Sequence, residues 1–323
     1  MTSLRVSRYA IATLALVLLG CHHDRPIAPE PPLTDPRGLI LMATIAYPAE
    51  IYVMRSDGTG LRQLTSDSAN DLDPRWSPDG RAIVFSRATD ARGGSAGSPD
   101  IYLMNPDGSD KRVLYHGVGQ EHEPAYSPDG QHIAFAQRDP GIGMRVHMMN
   151  ADGTGERLVT PMAESGAPDW RPDGARILFL GTRPARASRS MYTALPDGTD
   201  EQLVGGDAAC VGNVQEARWS PDGGRIAYRC DDAPGGAIFV IHADGTSRVR
   251  LSPVSPGPLY DFDRYPVWSP DGAQIAFLGV RSTHPTGPWV MDTTGANAKT
   301  LGLPATAGLV PLDWGAVSGV AGP

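Results

Sequence analysis

A motif that returns every 44 to 50 residues restricts this chain more than any other feature. RWSPDGRAIVFSR at 75–87 recurs as AYSPDGQHIAFAQ at 125–137, DWRPDGARILFLG at 169–181, RWSPDGGRIAYRC at 218–230 and VWSPDGAQIAFLG at 267–279. A second element interleaves with it. IYVMRSDGTG begins at 51, IYLMNPDGSD at 101, VHMMNADGTG at 146, MYTALPDGTD at 191, IFVIHADGTS at 238 and a degraded WVMDTTGA at 289. Four short apolar runs per repeat at this period are the pattern of propeller blades.

The turn chemistry explains why each run is a strand. Pro78 presets φ for the second position of a tight turn, Asp79 can bond back to the backbone, and Gly80 accepts the positive φ that closes it. The Asp-Gly of the second element makes another hairpin in the same way. The flanking runs are β-branched or aromatic and almost continuously apolar, as expected of strands covered on both faces. The four strands are named A (PRWS), B (AIVFS), C (IYLM) and D (KRVLY). The expected fold is therefore an all-β, six-bladed β-propeller of four-stranded antiparallel blades.

The register is offset. The chain enters on strand B at Gly38–Thr44 and ends on a lone strand A at Pro311–Val317, so the N-terminal strands and the C-terminal strand should share the first blade. Such closure hides edges that would otherwise recruit other chains. It also leaves no room for a second domain, and a monomer is expected.

Outside the repeats, Arg5 and Arg8 followed by apolar Ala10–Leu19 read as an export signal, too short to span a bilayer as a mature helix. Leu18-Leu19-Gly20-Cys21 resembles the bacterial lipobox. That implies cleavage after residue 20, lipidation of Cys21 and an anchor that is stable because several acyl chains insert. His22, rather than Asp, follows the cysteine, and by resemblance to Gram-negative sorting this implies the periplasmic face of the outer membrane. Residues 21–37 are rich in Pro and charge and read as a flexible tether, 38–317 as the propeller and 318–323 as a tail. The net charge is −8, and loss of the leader's two arginines makes it more negative, which argues against nucleic acid as partner. Contact with the membrane is expected through the lipid anchor only.

The pattern P-x-W-S-P-D-G-x-x-I-A-F followed by I-Y-x-M-x-x-D-G resembles the WD40-like repeat of the TolB propeller family, found also in the propellers of prolyl oligopeptidase-type peptidases. It covers essentially Gly38 to Val317. That family places an α/β domain before its propeller, where this chain has only the tether, so only the propeller is carried over. The peptidases need a hydrolase domain bearing a serine nucleophile, and no stretch remains for one. Gly93-Gly94-Ser95-Ala96-Gly97 fits G-x-S-x-G, but it lies in a Gly/Ser-rich loop between strands B and C rather than in a strand-to-helix elbow. No catalytic residue is assigned.

The Pro-Asp-Gly turns are uniform. Variation concentrates on the opposite face, in the B–C loops and D-to-A crossings, where binding residues usually sit. By resemblance strand A is innermost. Alternation then places Asp71, Asp73, Glu121, Glu123, Glu216, Asp261 and Asp263 in or near one ring at the channel mouth, with His122, Arg264 and Tyr265 adjacent. Such a ring could hold Ca²⁺ through oxygen ligands or attract a basic peptide. The alternative is that these are solvated acids, or acceptors of backbone N–H groups at strand starts. His116 and His122 with the glutamate pair are a further candidate for a transition-metal or acid–base site. The repeated Trp76, Trp170, Trp219, Trp268 and Trp314, with Tyr126 in the remaining blade, read as packing between blades. Cys210, on a crossing, and Cys230, at the exit of a strand B, are an even pair in an exported chain and are expected to bond.

The function expected from these residues is an envelope-anchored binding or interaction module that takes an envelope protein, peptide or glycan on its loop face. The other reading is a metal-assisted propeller enzyme, a lyase or hydrolase acting on saccharide or peptide.

Overall fold

The computed structural model describes residues 38–89, 99–183, 188–205, 209–210, 212–231, 236–252, 262–281, 284–302 and 308–315. Cys21 with the signal and tether, the Gly93–Gly97 loop, Asp261 and the 318–323 tail lie outside the described residues.

Every described sheet has four strands, and there are six such sheets. The sheets are six blades, numbered in chain order from the one that closes the ring. Strand A is Leu309–Trp314 in blade 1, Asn70–Trp76 in blade 2, Glu121–Tyr126 in blade 3, Gly166–Trp170 in blade 4, Val214–Trp219 in blade 5 and Phe262–Trp268 in blade 6. In blade 1, Leu309–Trp314 pairs antiparallel with strand B, Leu39–Thr44, and that strand pairs with strand C, Ile51–Arg55. Both ends of the repeat region thus complete one sheet, as the offset register requires.

The core is distributed as six apolar clusters, one in each seam between neighbouring blades. Leu39, Leu41 and Val53 of blade 1 meet Trp76, Ile83 and Phe85 of blade 2, for example. Ile40, Met42 and Trp314 of blade 1 meet Val267, Ala276 and Val290 of blade 6. Each repeated tryptophan is buried in the seam toward the preceding blade. Burial of a Phe-sized side chain contributes about 2 kcal/mol, so the seams rather than single blades carry the stability.

Two turn families lie on one face. In the A–B turn, Gly80 N–H donates to Ser77 O at 2.8 Å, while Asp79 Oδ1 accepts from Ser77 Oγ at 2.7 Å and Arg81 N at 3.0 Å. The C–D turns do more than reverse the chain. Gly108, at φ +85°, abuts the Leu64 carbonyl of the preceding blade so closely that a β-carbon could not fit, and Gly58 abuts the Leu301 carbonyl across the closing seam. The Asp-Gly dipeptide therefore serves both the hairpin and the contact between blades.

On the opposite face the structure joins Cys210 to Cys230, with Cα atoms 5.7 Å apart. The bond ties the crossing into blade 5 to the end of that blade's strand B.

Candidate functional site at the channel mouth

Each strand A carries one extra residue against strand B. In blade 2, Leu72 faces Ser86 and Arg75 faces Val84, so Asp73 and Pro74 share one opposing position. Blades 3, 4, 5 and 6 have the same irregularity. Its cause is a residue in the left-handed region three places before the repeated aromatic: Asp73 (φ 52°), Glu123 (54°), Ala167 (52°), Glu216 (54°) and Tyr265 (56°). Such a β-bulge bends the strand and breaks the period of two.

The bulge corrects the expected ring of acids. Strict alternation would put residues two apart on one side, but the extra residue sends Asp71, Glu121 and Asp263 into buried positions away from Asp73, Glu123 and Glu216. Asp71 is fully buried, and both its oxygens accept from Arg87 Nη1, at 2.8 and 2.9 Å. Burial pushes its carboxyl up to about 6 despite the guanidinium. Glu121 is also buried, accepts from Gly117 N at 3.3 Å, and is raised chiefly by burial. Asp263 is buried in blade 6, and Asp261 is outside the described residues. His122 and Arg264 are half-buried one residue before the bulge. His116 is drawn 2.6 Å from Asp100, whose hydrogen bond raises its pKa, so it does not join the Glu121–Glu123 pair as a site.

The acids that do reach the channel are latches between blades. Asp73 Oδ2 accepts from Glu123 N at 3.3 Å, Glu123 Oε2 from Ala167 N at 2.6 Å, and Glu216 Oε2 from Tyr265 N at 2.9 Å. Each carboxylate is thus committed to the backbone of the next blade, the alternative the sequence left open. Among the described residues no three His, Cys, Asp or Glu side chains come together as a cation cage. The donor set, with one oxygen of each acid on an amide and three arginines in the same lining, does not fit Ca²⁺.

One step deeper, the residue just before each repeated aromatic forms a second tier: Asp313, Arg75, Ala125, Asp169, Arg218 and Val267 in blades 1 to 6. The order is Asp-Arg-apolar, twice, so the tier has an approximate two-fold axis. Asp313 Oδ2 accepts from Trp76 N and Asp169 Oδ2 from Trp219 N, each at 2.8 Å, which repeats the symmetry in the hydrogen bonds. Burial pushes the Asp169 carboxyl up, against the pull of Arg218 and Arg75. Arg75 lies 3.8 Å from Asp169 and 3.7 Å from Asp313. Above this tier a cavity of about 200 Å³ opens toward the loop face, lined by Asp73, Glu123, Arg189, Glu216, Arg218 and Tyr265 among others. The tier was missed in the sequence because its residues differ from blade to blade. Reading the column before the aromatic down the aligned repeats would have found it.

The chain shares its repeats with known proteins. The family described as TolB beta propeller domain matches residues 27–207. Dipeptidyl-peptidase 5 of Porphyromonas gingivalis is 30% identical over 243 residues, which is 72% of this chain but 33% of that protein, so the chain spans about a third of its length. TolB from Acinetobacter baumannii has the same fold at a TM-score of 0.66 and 19% identity, over 80% of this chain and 62% of that one. A chain in the solved nidogen/laminin complex matches at a TM-score of 0.61 and 12% identity, over 81% of this chain and 92% of its own. These last two likenesses are of fold alone.

Proposed function

The chain belongs to the TolB beta-propeller domain family, and on that premise we propose that it is an envelope-anchored binding module, tethered through lipidated Cys21 to the periplasmic face of the outer membrane. It engages an envelope protein or peptide through its loop face. The observation that carries this reading is the distribution of exposed apolar side chains. Ile45 (60% exposed) and Tyr47 (74%) on the blade 1 B–C loop, Val118 (81%) on the crossing into blade 3 and Ile142 (53%) on the blade 3 B–C hairpin all stand on that face. The other exposed large apolar groups, Leu61, Val113, Leu203 and Val249, lie singly on or beside the outermost strands of four blades, whereas these four are grouped on the loops from blade 1 to blade 3, as an interaction surface requires. The turn face carries repeated, internally bonded acids instead. The enzyme reading rested on the ring of carboxylates, of which Asp73, Glu123 and Glu216 each give one oxygen to a backbone amide of the next blade.

Photo-crosslinkers placed in cells at Tyr47 and Val118, and at Asp107 and Asp244 on the turn face, test the proposal. Defined adducts from the first pair and none from the second are expected. Adducts confined to the turn face, or none at all, overturn it. Fractionation of a Cys21→Ala variant tests the anchor separately, with release into the soluble fraction as the expected result.

A further inference from the structure

We propose that the channel cavity is a carboxylate site, in which the guanidinium groups of Arg218 and Arg189 seat the α-carboxylate of a short peptide. The proposal deepens the binding reading above by naming what the channel beneath the loop face takes.

The argument begins with the broken symmetry of the deeper tier. Arg75 and Arg218 occupy equivalent positions, three blades apart and facing each other around the ring. Both aspartates lie within 4 Å of Arg75. Among the described residues Arg218 makes no such ion pair; its Nη1 bonds the carbonyl of the adjacent Ala217 at 2.9 Å, and its buried Nε has no hydrogen-bond partner there. Asp169, Glu123 and Asp313 act on Arg218 without pairing with it in this way, so its planar fork is left for a bound carboxylate, whose geometry it matches. Burial and the positive charge of Arg75 lower the Arg218 pKa to about 10, against the pull of Asp169, Glu123 and Asp313.

A second guanidinium is held over the same cavity. The backbone of Arg189 is fixed at both ends, its N–H donating to Asn213 Oδ1 and its carbonyl accepting from Val214 N, each at 2.9 Å. Its side chain reaches the channel across Gly166. A β-carbon there would lie 3.5 Å from Arg189 Nη2 and 3.1 Å from Glu123 Oε2, so the glycine makes the space in which cation and carboxylate meet.

The rest of the lining favours a peptide over an acidic sugar. Asp73 and Glu123 each keep an oxygen beyond the one given to the neighbouring blade, and these can accept peptide N–H or ammonium groups. Leu180 and Leu312 offer an apolar wall for a small side chain. A ligand with a carboxylate at one end and N–H donors along its length satisfies both halves of the cavity.

The test is calorimetric titration of the full mature chain with Ala-Ala-Ala, with the same tripeptide as its C-terminal amide, and with galacturonate. Saturable binding of the free acid is expected, weakened at least about tenfold by amidation, since a hydrogen-bonded charge contributes about 1.5–3 kcal/mol. Arg218→Gln should abolish binding and Arg189→Gln should weaken it. Arg218→Lys, which keeps the charge but loses the fork, serves if the glutamine variant fails to fold, and should also bind weakly. Equal binding of acid and amide, binding of neither, or full binding by a folded Arg218 variant overturns the proposal; preference for galacturonate overturns the peptide in favour of an acidic sugar. Crosslinking from Tyr47 and Val118 in the Arg218→Gln chain separates the two readings. If those adducts persist while no peptide binds, only the channel site falls.

Discussion

The two faces of this propeller are built by opposite rules. On the turn face, one solution is copied from blade to blade: Ser-Pro-Asp-Gly between strands A and B, and Asp-Gly-Thr or Asp-Gly-Ser between C and D. Ser127, Ser220 and Ser269 donate to Asp129, Asp222 and Asp271 at 2.5 Å and hold those carboxyls below their usual range. Blade 4 departs by carrying Arg171, whose guanidinium lies 3.4 Å from Asp173 in place of the hydroxyl. On the loop face hardly any loop repeats its neighbour. There the buried Asp71 and Glu121 are pushed up, apolar tips stand exposed, and a disulfide holds one crossing in place. The contrast teaches that repetition marks what every blade needs in order to stack, and irregularity marks what only the whole molecule needs.

Changes on the turn face should therefore cost stability and spare binding. The largest effect is expected from Gly108→Ala, which adds a β-carbon against the Leu64 carbonyl in a left-handed conformation. A loss of about 4 kcal/mol, read by denaturant melts, combines overpacking with backbone strain. Wild-type stability in that variant would mean that the blades do not lock through this turn.

The disulfide tests whether the irregular face has a structural element of its own. Replacing both Cys210 and Cys230 by alanine should cost about 3 kcal/mol in the loop-entropy account, and reductant should lower the melting point of the wild type but not of the double variant. Between the faces, Asp169→Ala leaves the Trp219 N–H without its acceptor in the tier below the channel mouth. A loss of about 2 kcal/mol is expected, with Asp169→Asn, which keeps an acceptor, losing less.

The uniformity of the turn face can be checked directly. Ser127→Ala and Ser220→Ala each remove one hydroxyl from equivalent turns and should cost about 1 kcal/mol apiece; unequal losses would show that the copies are not equivalent. The smallest effect is a pH dependence of opposite sign for the turn-face carboxyls and for Asp71. Turn-face carboxyls are held below their usual range, so their contribution is present above about pH 4 and is lost as the pH falls further. Asp71 is the reverse. Its folded pKa near 6 means the native state binds the proton first, so its contribution to stability grows as pH falls from about 7 toward 4. Asp71→Asn should therefore gain less than the wild type between pH 7 and pH 5 in thermal melts.

How far the site could be read from the chain follows from the same division. Trp76, Trp170, Trp219, Trp268 and Trp314 stand in one register and sit in the seams where a repeated aromatic belongs. The acids were placed by alternation, and that failed at a single residue per strand. No rule of alternation foretells a non-glycine residue such as Glu123 or Glu216 at φ 54°, because the blade on either side holds it there against its own preference.

Local chemistry thus settled the number of blades, the strands, both turn families and the offset closure, since each depends on residues near one another in the chain and is repeated often enough to be unmistakable. Which acids face the channel, which arginine pairs with the two aspartates and what meets across Gly166 were decided only when six strands from distant parts of the chain came together. Those outcomes depend on contacts between blades, and a contact between residues such as Trp76 and Asp313, 237 positions apart, leaves no trace in the local pattern of either.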